Sequence, residues 1–107
     1  MKDPLQSDHC AEMLRALAEP LRLRIVDCLR SGPQSVGELS KLLEVEVVNV
    51  SHHLAVLRKA GLVESKRKGR FIVYRLPNGI CPCDNGSPMI DHIDLGCCRL
   101  EIPKDNT

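Results

Sequence analysis

Residues 46–76 read EVVNVSHHLAVLRKAGLVESKRKGRFIVYRL, and this stretch decides the fold. The spacing of its apolar residues predicts a helix over residues 46–60, which stops at the turn residue Gly61. Two β-prone runs follow, with strands expected near residues 62–67 and 70–76 and a basic tip between them. A helix followed by a positively charged hairpin is typical of a winged helix-turn-helix. In that fold the helix enters the major groove of DNA and the hairpin lies along phosphates.

Positive charge is concentrated on the predicted hairpin, although the whole chain has a net charge of only +1. Residues 58–75 contain seven basic and one acidic side chain. Residues 1–57 contain six basic and eight acidic, and residues 76–107 two basic and five acidic. Such a local basic patch is the electrostatic footprint of nucleic-acid binding. Because Phe71 and Tyr74 are the only aromatic residues, stacking on single-stranded bases is disfavoured, and duplex DNA is the expected partner.

The length and the two ends of the chain indicate where it works. At 107 residues it forms one domain, and dimerisation would help so small a domain to bury its surface. The polar start MKDPLQSDHC does not resemble a signal peptide, and no apolar run approaches the roughly 20 residues that span a bilayer. We therefore expect a cytoplasmic protein without a membrane partner. Six cysteines in a reducing compartment indicate metal binding.

Three further helices are predicted before the helix that opens the quoted stretch. Asp8 is the expected N-cap of the first, and Pro20 suits the first turn of the second. Ser35 and Glu38 form the pattern of a capping box at the start of the third. The first two helices carry apolar stripes at helical spacing: Met13, Leu14 and Leu17, then Leu21, Ile25, Val26 and Leu29. The positions expected to face the core are Val36, Leu39, Leu42 and Leu43 of the third helix and Val50, Leu54 and Leu57 of the fourth.

The predicted architecture is mainly α with a small β-hairpin (α+β), a homodimeric winged helix-turn-helix. Its parts are a flexible tail over residues 1–7, the winged-helix domain over 8–76, a cysteine-rich segment over 77–103 and a disordered tail over 104–107. Leu14 and Leu17 exceed what so small a core needs, and we expect them to contribute to a twofold dimer.

Three motifs occur in order along the chain: ALAEPLRLRI at residues 16–25, SVGEL at 35–39 and SHHLAVLRKAGLV at 51–63. Together they resemble the ArsR/SmtB family of metal- and metalloid-sensing repressors over about residues 10–76. The resemblance implies a dimer that binds a palindromic operator and leaves it when an inducer binds. An enzyme is not expected, since the sequence has no Ser/His/Asp or paired-carboxylate constellation.

The chain departs from that family's pattern in three places. Residues 34–37, Gln-Ser-Val-Gly, stand where the family often carries a Cys-x-Cys sensing motif. The segment after Leu76 is rich in Cys, Pro and Gly, whereas the family usually has a long dimerisation helix with His and Asp ligands there. The predicted recognition helix also begins with Glu46, which is a weaker cap than Ser or Thr.

The expected DNA contacts divide between the helices and the hairpin. The basic tip supplies affinity and salt dependence through phosphates, while exposed valines of the helix can touch thymine methyl groups. His52 on the exposed face is interpreted as a DNA contact, and His53 as a helix-packing residue. The candidates are Gln34, Ser35, Val47, Val48, Asn49, Ser51, His52, Arg58, Lys66, Arg67, Lys68 and Arg70.

Four cysteines after the hairpin are the candidate metal ligands: Cys81, Cys83, Cys97 and Cys98. Cys81 and Cys83 share one face of an extended segment and can converge on one ion. Cys97 and Cys98 would point to opposite faces unless a turn intervenes. Three thiolates suit arsenite, As(III); four suit zinc, cadmium or lead; two suit Cu(I).

The two other cysteines are interpreted as packing residues. Cys28 lies beside Leu29 on the second helix and reads as a small buried hydrophobe. Cys10 lies beside His9 near the N-terminus and is packing or unassigned, although N-terminal arms of the resembled family sometimes donate ligands across the dimer.

Two functions fit the pattern. The first is a repressor released from its operator by a thiophilic ion bound to the C-terminal cysteines. The second is a winged-helix regulator whose cysteines form a structural zinc site or a redox-sensing disulfide.

Overall fold

A computed structural model describes residues 3–4, 6–80 and 92–101. It confirms the winged helix-turn-helix: four helices, a three-stranded sheet whose first strand lies between the second and third helices, and a second hairpin at the C-terminal end. The elements are α1 Ser7–Leu17, α2 Pro20–Leu29, β1 Gln34–Ser35, α3 Val36–Leu43, α4 Val47–Lys59, β2 Glu64–Lys68, β3 Phe71–Arg75, β4 His92–Asp94 and β5 Arg99–Glu101. None of the helices in the described ranges is long and apolar enough to cross a membrane.

The start of α3 confirms the predicted capping box. The backbone N–H of Glu38 donates to Ser35 Oγ at 3.1 Å, and the backbone N–H of Ser35 donates to Glu38 Oε1 at 2.9 Å. Pro20 occupies the first turn of α2, as predicted, because its missing N–H has no partner to lose there. The two hydrogen bonds at α3 fix where the helix-turn-helix begins.

The predicted cap of α1 was wrong. The helix begins at Ser7, with Gln6 at the N-cap position and Asp8 inside the first turn. The carboxylate of Asp3 accepts hydrogen bonds from the backbone N–H of Ser7 at 2.8 Å and from Ser7 Oγ at 2.6 Å. Asp3 therefore caps the helix from outside and moves its start one residue ahead of Asp8.

The core lies between the four helices and the base of the wing. Val50, Leu54 and Leu57 of α4 have no exposed surface, which confirms the predicted inward face of that helix. The prediction that Leu42 faces the core was wrong, since this side chain is 59% exposed. Leu39 and Leu43 of α3 are buried, so the core covers the side of the helix that carries this i, i+4 pair and leaves Leu42 outside it.

The sheet follows the order β1-β3-β2 with antiparallel pairing throughout. Glu64 lies opposite Arg75 at the base of the wing, and Arg75 Nε donates to Glu64 Oε1 at 2.6 Å. Lys68 pairs with Phe71 at the tip, where Gly69 turns the chain at φ +61°, a conformation that favours glycine. The observed strands lie within one or two residues of the predicted ones.

The second hairpin, β4–β5, packs onto the winged-helix core. Ile93 and Leu95 are 1% and 6% exposed and belong to the same apolar cluster as Ile80. The backbone N–H of Asp94 donates to the carbonyl of Ile80 at 2.9 Å. Residues 92–101 thus form a hairpin in the region where the ArsR/SmtB resemblance implied a dimerisation helix, and they return the chain to the end of the wing.

Replacing Leu54 by alanine should destabilise the protein by about 2–5 kcal/mol, because the side chain is fully buried and its removal leaves a cavity. Leu42→Ala is the matched control, since Leu42 is mostly exposed on a neighbouring helix. It should change the free energy of unfolding by no more than about 0.5 kcal/mol. Urea unfolding followed by circular dichroism measures both, and equal destabilisation of the two variants would contradict the packing of α4 against the core.

Candidate nucleic-acid interface and cysteine cluster

The face of α4 that points away from the core is polar at most positions and fully accessible. Asn49, Ser51 and His52 are exposed, and Val48 is 74% exposed at the start of the helix. Glu46 occupies the N-cap without a side-chain hydrogen bond to the helix. The first backbone N–H groups of α4 are therefore not capped by that side chain, and they can meet an anion such as a phosphate.

His53 lies on the other side of α4 and fixes this helix to the start of α2. Its Nδ1 lies 3.3 Å from Arg22 Nη1 and 3.6 Å from Glu19 Oε2. The same Glu19 carboxylate accepts the backbone N–H of Arg22 at 3.0 Å and so caps α2. These contacts agree with the packing role expected for His53. Its partners are 31 and 34 positions away in the chain, a separation that periodicity does not report.

The wing carries its cations on the outside. Lys66, Arg67, Lys68 and Arg70 are all exposed. Arg58, at the end of α4, reaches the first wing strand, where its Nη1 donates to Ser65 Oγ at 3.4 Å. This hydrogen bond links the end of α4 to the base of the wing.

Gln34 and Ser35 differ from the other candidate contacts. Both are half-buried in β1, where they pair with Tyr74 and Val73 of the sheet. The hydroxyl of Ser35 is already occupied as the cap of α3. The Ser35 hydroxyl still has its hydrogen to donate to a phosphate oxygen.

Three cysteines from the two ends of the chain lie together, and we call Cys10, Cys97 and Cys98 the cysteine cluster. Their sulfur atoms all lie within 4.8 Å of one another. Cys10 and Cys97 form a disulfide, and the free Cys98 Sγ lies 4.0 Å from Cys10 Sγ and 3.9 Å from Cys97 Sγ. The cluster joins α1 to the turn of the C-terminal hairpin.

A turn explains why the adjacent cysteines converge. Gly96 adopts φ +89°, and the backbone N–H of Leu95 donates to the carbonyl of Cys98 at 2.9 Å, so Cys97 and Cys98 lie in the turn rather than in a strand. The alternation that would separate them does not apply there. From the sequence, Cys97 and Cys98 could face the same site only if a turn lay between the strands, and the structure has that turn.

Cys10 is the cluster member that the sequence leaves as packing or unassigned. It is buried, with 9% exposure, but it also lies beside Cys97 and Cys98. The residues of the disulfide are 87 positions apart, so no local spacing could reveal the contact. The predicted ligands Cys81 and Cys83 lie outside the described residues.

The chemistry open to the cluster depends on its oxidation state. Reduced, it offers three sulfur ligands in one place, the number that suits a trivalent metalloid. A cavity of about 260 Å³ adjoins it, lined by Pro4, Gln6, His9, Leu95, Gly96 and Cys97. A small solute can therefore reach Cys97 from outside.

Cys28 lies on α2 and has a different environment. Burial raises the pKa of its thiol, and the neighbouring Asp27 carboxylate raises it further, against an opposing effect of Arg24. A raised pKa keeps the thiol protonated at neutral pH, which makes it a poor nucleophile and a poor metal ligand. The packing role predicted for Cys28 agrees with this environment.

Comparison with known proteins connects the fold to a family. The sequence model of the family described as bacterial regulatory proteins, arsR family, matches residues 19–65. The transcriptional regulator NmtR of Mycobacterium tuberculosis is 47% identical over 76 residues, which cover 68% of this chain and 63% of NmtR. The transcriptional repressor SdpR of Bacillus subtilis is 30% identical over 84 residues, covering 78% of this chain and 92% of SdpR.

A solved structure extends the comparison to three dimensions. The homodimeric winged helix-turn-helix DNA-binding domain of Mb0332 from Mycobacterium bovis superposes with a TM-score of 0.65 at 31% identity. The match covers 71% of this chain and 72% of that domain. The chain spans slightly less than two thirds of NmtR but nearly all of SdpR, so the shared part is the winged helix.

Proposed function

Because this chain belongs to the ArsR family of bacterial regulatory proteins, we propose that it is a homodimeric repressor of transcription. It binds duplex operator DNA and leaves the operator when a thiophilic metal or metalloid ion binds its cysteines. The observation that carries the ion-responsive part is the convergence of three sulfur atoms within 4.8 Å, at a site that joins both ends of the winged helix.

The DNA-binding part rests on the division between α4 and the wing. Exposed polar side chains of α4, such as Asn49 and Ser51, are suited to base edges in the major groove. The four cations of the wing tip are suited to phosphates, which give affinity without sequence choice. Val48, which is 74% exposed on α4, is suited to a thymine methyl group.

Replacing Lys66, Arg67, Lys68 and Arg70 by alanine should weaken binding to every duplex and flatten its salt dependence. The slope of log affinity against log salt should fall by about 0.9 for each phosphate that the variant no longer neutralises. Fluorescence anisotropy with a duplex selected by the protein from a random-sequence pool, and with a scrambled duplex, measures both effects over a salt series.

Two controls separate phosphate contacts from base contacts and from net charge. Arg99→Ala removes an exposed cation of the C-terminal hairpin and should leave affinity and salt slope unchanged. Asn49→Ala should alter preference between duplexes by about 1–3 kcal/mol for the base interaction that it removes, with little change in slope. An unchanged slope after wing neutralisation would show that the wing does not lie on phosphates.

The proposed dimer uses α1. Leu14 is 39% exposed on this helix, whereas Leu17, the other residue predicted at a dimer surface, is 3% exposed within its own subunit. Leu14 lies one helical turn from Cys10, so a dimer contact and the cysteine cluster share one short helix. In a twofold dimer the two α4 helices lie roughly 34 Å apart, one turn of DNA.

Light scattering at micromolar protein should give about twice the chain mass of 11.9 kDa. Leu14→Glu should raise the monomer fraction, because a charge there would be buried without a partner on association. Leu23→Glu is the matched control: Leu23 is 48% exposed on α2, and its replacement should leave the mass unchanged. A monomeric wild-type protein would refute the dimer.

The proposed inducer is a soft ion held by thiolates. The cysteine cluster supplies three ligands, which suit arsenite. A tetrahedral ion such as zinc or cadmium needs a fourth, for which Cys81 and Cys83 remain the proposed donors. Two of the sulfurs would suffice for Cu(I). Because ligation displaces thiol protons, apparent ion affinity should fall as the pH drops.

Ion binding can reach the DNA surface through two connections. Cys10 belongs to α1, which carries the proposed dimer contact, and Cys97 and Cys98 belong to the hairpin that pairs with Ile80 beyond the wing. Drawing these elements together would shift the dimer axis or the wing. Coupling of this kind is typically worth about 1–3 kcal/mol, which corresponds to roughly a 5- to 150-fold decrease in operator affinity.

Arsenite should release the reduced wild-type protein from its selected duplex within that range, and Cys98→Ser should abolish release while DNA binding persists. Cys28→Ser is the matched control and should respond like the wild type, because Cys28 lies outside the cluster. Anisotropy titrations with arsenite, zinc and copper give the comparison. Release of the Cys98 variant at the wild-type arsenite concentration would show that the sensor lies elsewhere.

Replacing Cys81 and Cys83 together by serine tests their part in the same titration. We expect this variant to keep DNA binding and the arsenite response while losing the response to zinc and cadmium, because only the tetrahedral ions need a fourth ligand. If the double variant fails to fold, as judged by circular dichroism, these cysteines form a structural staple. The alternative function, a regulator with a structural zinc site, would then gain support.

A further inference from the structure

We infer that Cys10 and Cys97 are an oxidisable pair whose disulfide closes the ion site, so that the ion releases the repressor only when the protein is reduced. This inference rests on the proposed function and adds to it a redox condition. The oxidant is a hydroperoxide, and the oxidised protein is a repressor that stays on DNA in the presence of the ion.

The disulfide and the bound ion exclude each other because both need the sulfur atoms of Cys10 and Cys97. Cys10 and Cys97 form a disulfide, and both belong to the three-sulfur group that could hold an ion. A disulfide sulfur has no thiolate electron pair to offer a soft ion, so oxidation leaves one thiol, Cys98, where three ligands stood. The single thiol left in the cysteine cluster cannot by itself retain a trivalent metalloid against water.

Exposure indicates which sulfur reacts first. Cys97 lines the cavity of about 260 Å³, whereas Cys10 is 9% exposed behind it. The Cys97 thiolate attacks one peroxide oxygen of ROOH, which breaks the O–O bond, releases ROH and leaves a sulfenic acid. The Cys10 thiolate then attacks the Cys97 sulfur, the S–O bond breaks and water leaves. In total two thiols and ROOH give a disulfide, ROH and water.

Thiol–disulfide exchange with Cys98 does not reopen the ion site. Its thiolate can attack Cys10 Sγ, 4.0 Å away, and release Cys97 as a thiolate without net oxidation. Either disulfide removes two of the three ligands from the cluster. The site therefore closes whichever of the two turn cysteines ends in the bond with Cys10.

The disulfide lies apart from the proposed DNA contacts. It joins α1 to the turn after β4, and neither cysteine belongs to α4 or to the wing strands. Oxidation therefore blocks the response to the ion while leaving the contact surfaces themselves unmodified, and the expected phenotype is loss of release rather than loss of binding.

The test compares one full-length preparation in two states. One portion is reduced with a phosphine and desalted without oxygen, and the other is treated with hydrogen peroxide and desalted. Intact mass should fall by about 2 Da for each disulfide formed, and peptide mapping should link Cys10 to Cys97 or Cys98. Oxidation should raise the arsenite concentration needed for release from the selected duplex at least tenfold, and a reductant should reverse the change.

Variants separate this inference from its premise. Cys28→Ser should oxidise and lose its response as the wild type does, and Cys10→Ser should give no linked peptide from the cluster. Equal release of reduced and oxidised protein by arsenite would overturn the redox condition and leave the ion-responsive repressor intact. Failure of arsenite, zinc and copper to release even the reduced protein would overturn the proposed function, and the redox condition with it.

Discussion

The burial of one face of α4 is the constraint on which the rest of the molecule depends. Val50, Leu54 and Leu57 have no exposed surface, and α4 contacts α1, α2 and α3 through this face. A helix anchored in this way must turn Asn49, Ser51 and His52 outward. The side chains proposed to contact bases are thus oriented by the core, and changes that loosen the core would also misdirect them.

Polar contacts lie at the base of the wing, one of them to this helix. Arg58 reaches Ser65, and Glu64 pairs with Arg75 across the strands. The lone acidic residue of the basic segment therefore lies at the base of the wing, away from the tip. Since exposed ion pairs contribute little to stability, the arrangement matters chiefly for where the remaining charge lies. The four tip cations are left without an acidic residue beside them in the two wing strands.

Sequence patterns predict what depends on local chemistry and periodicity. The capping box at Ser35, the buried row of α4 and the two wing strands all follow from residues close in the chain, and the structure confirms them. The exposure of Leu42 is not predictable in this way, because an apolar residue at helical spacing does not reveal how wide a face its partner covers.

Cys97 and Cys98 could be identified as candidate ligands from their type and position, but Cys10 could not be added to them. Its contact closes a loop of nearly the whole chain, and such non-local contacts leave no periodic trace in sequence. Cys81 and Cys83 stay predictions, since they lie outside the described residues.

The C-terminal hairpin has the properties that a switching element requires. Its strands are three residues each, and an isolated pair of strands is at best marginally stable in water. Ile93 and Leu95 hold it against the core, with one backbone bond to Ile80 beside them. An ion coordinated by Cys10 and by the turn of this short hairpin can therefore change how the hairpin docks. The same bond to a long, deeply buried helix would move that helix much less, because more contacts would hold it in place. A small hairpin in place of a long helix therefore gives the cysteine chemistry a movable element between α1 and the wing.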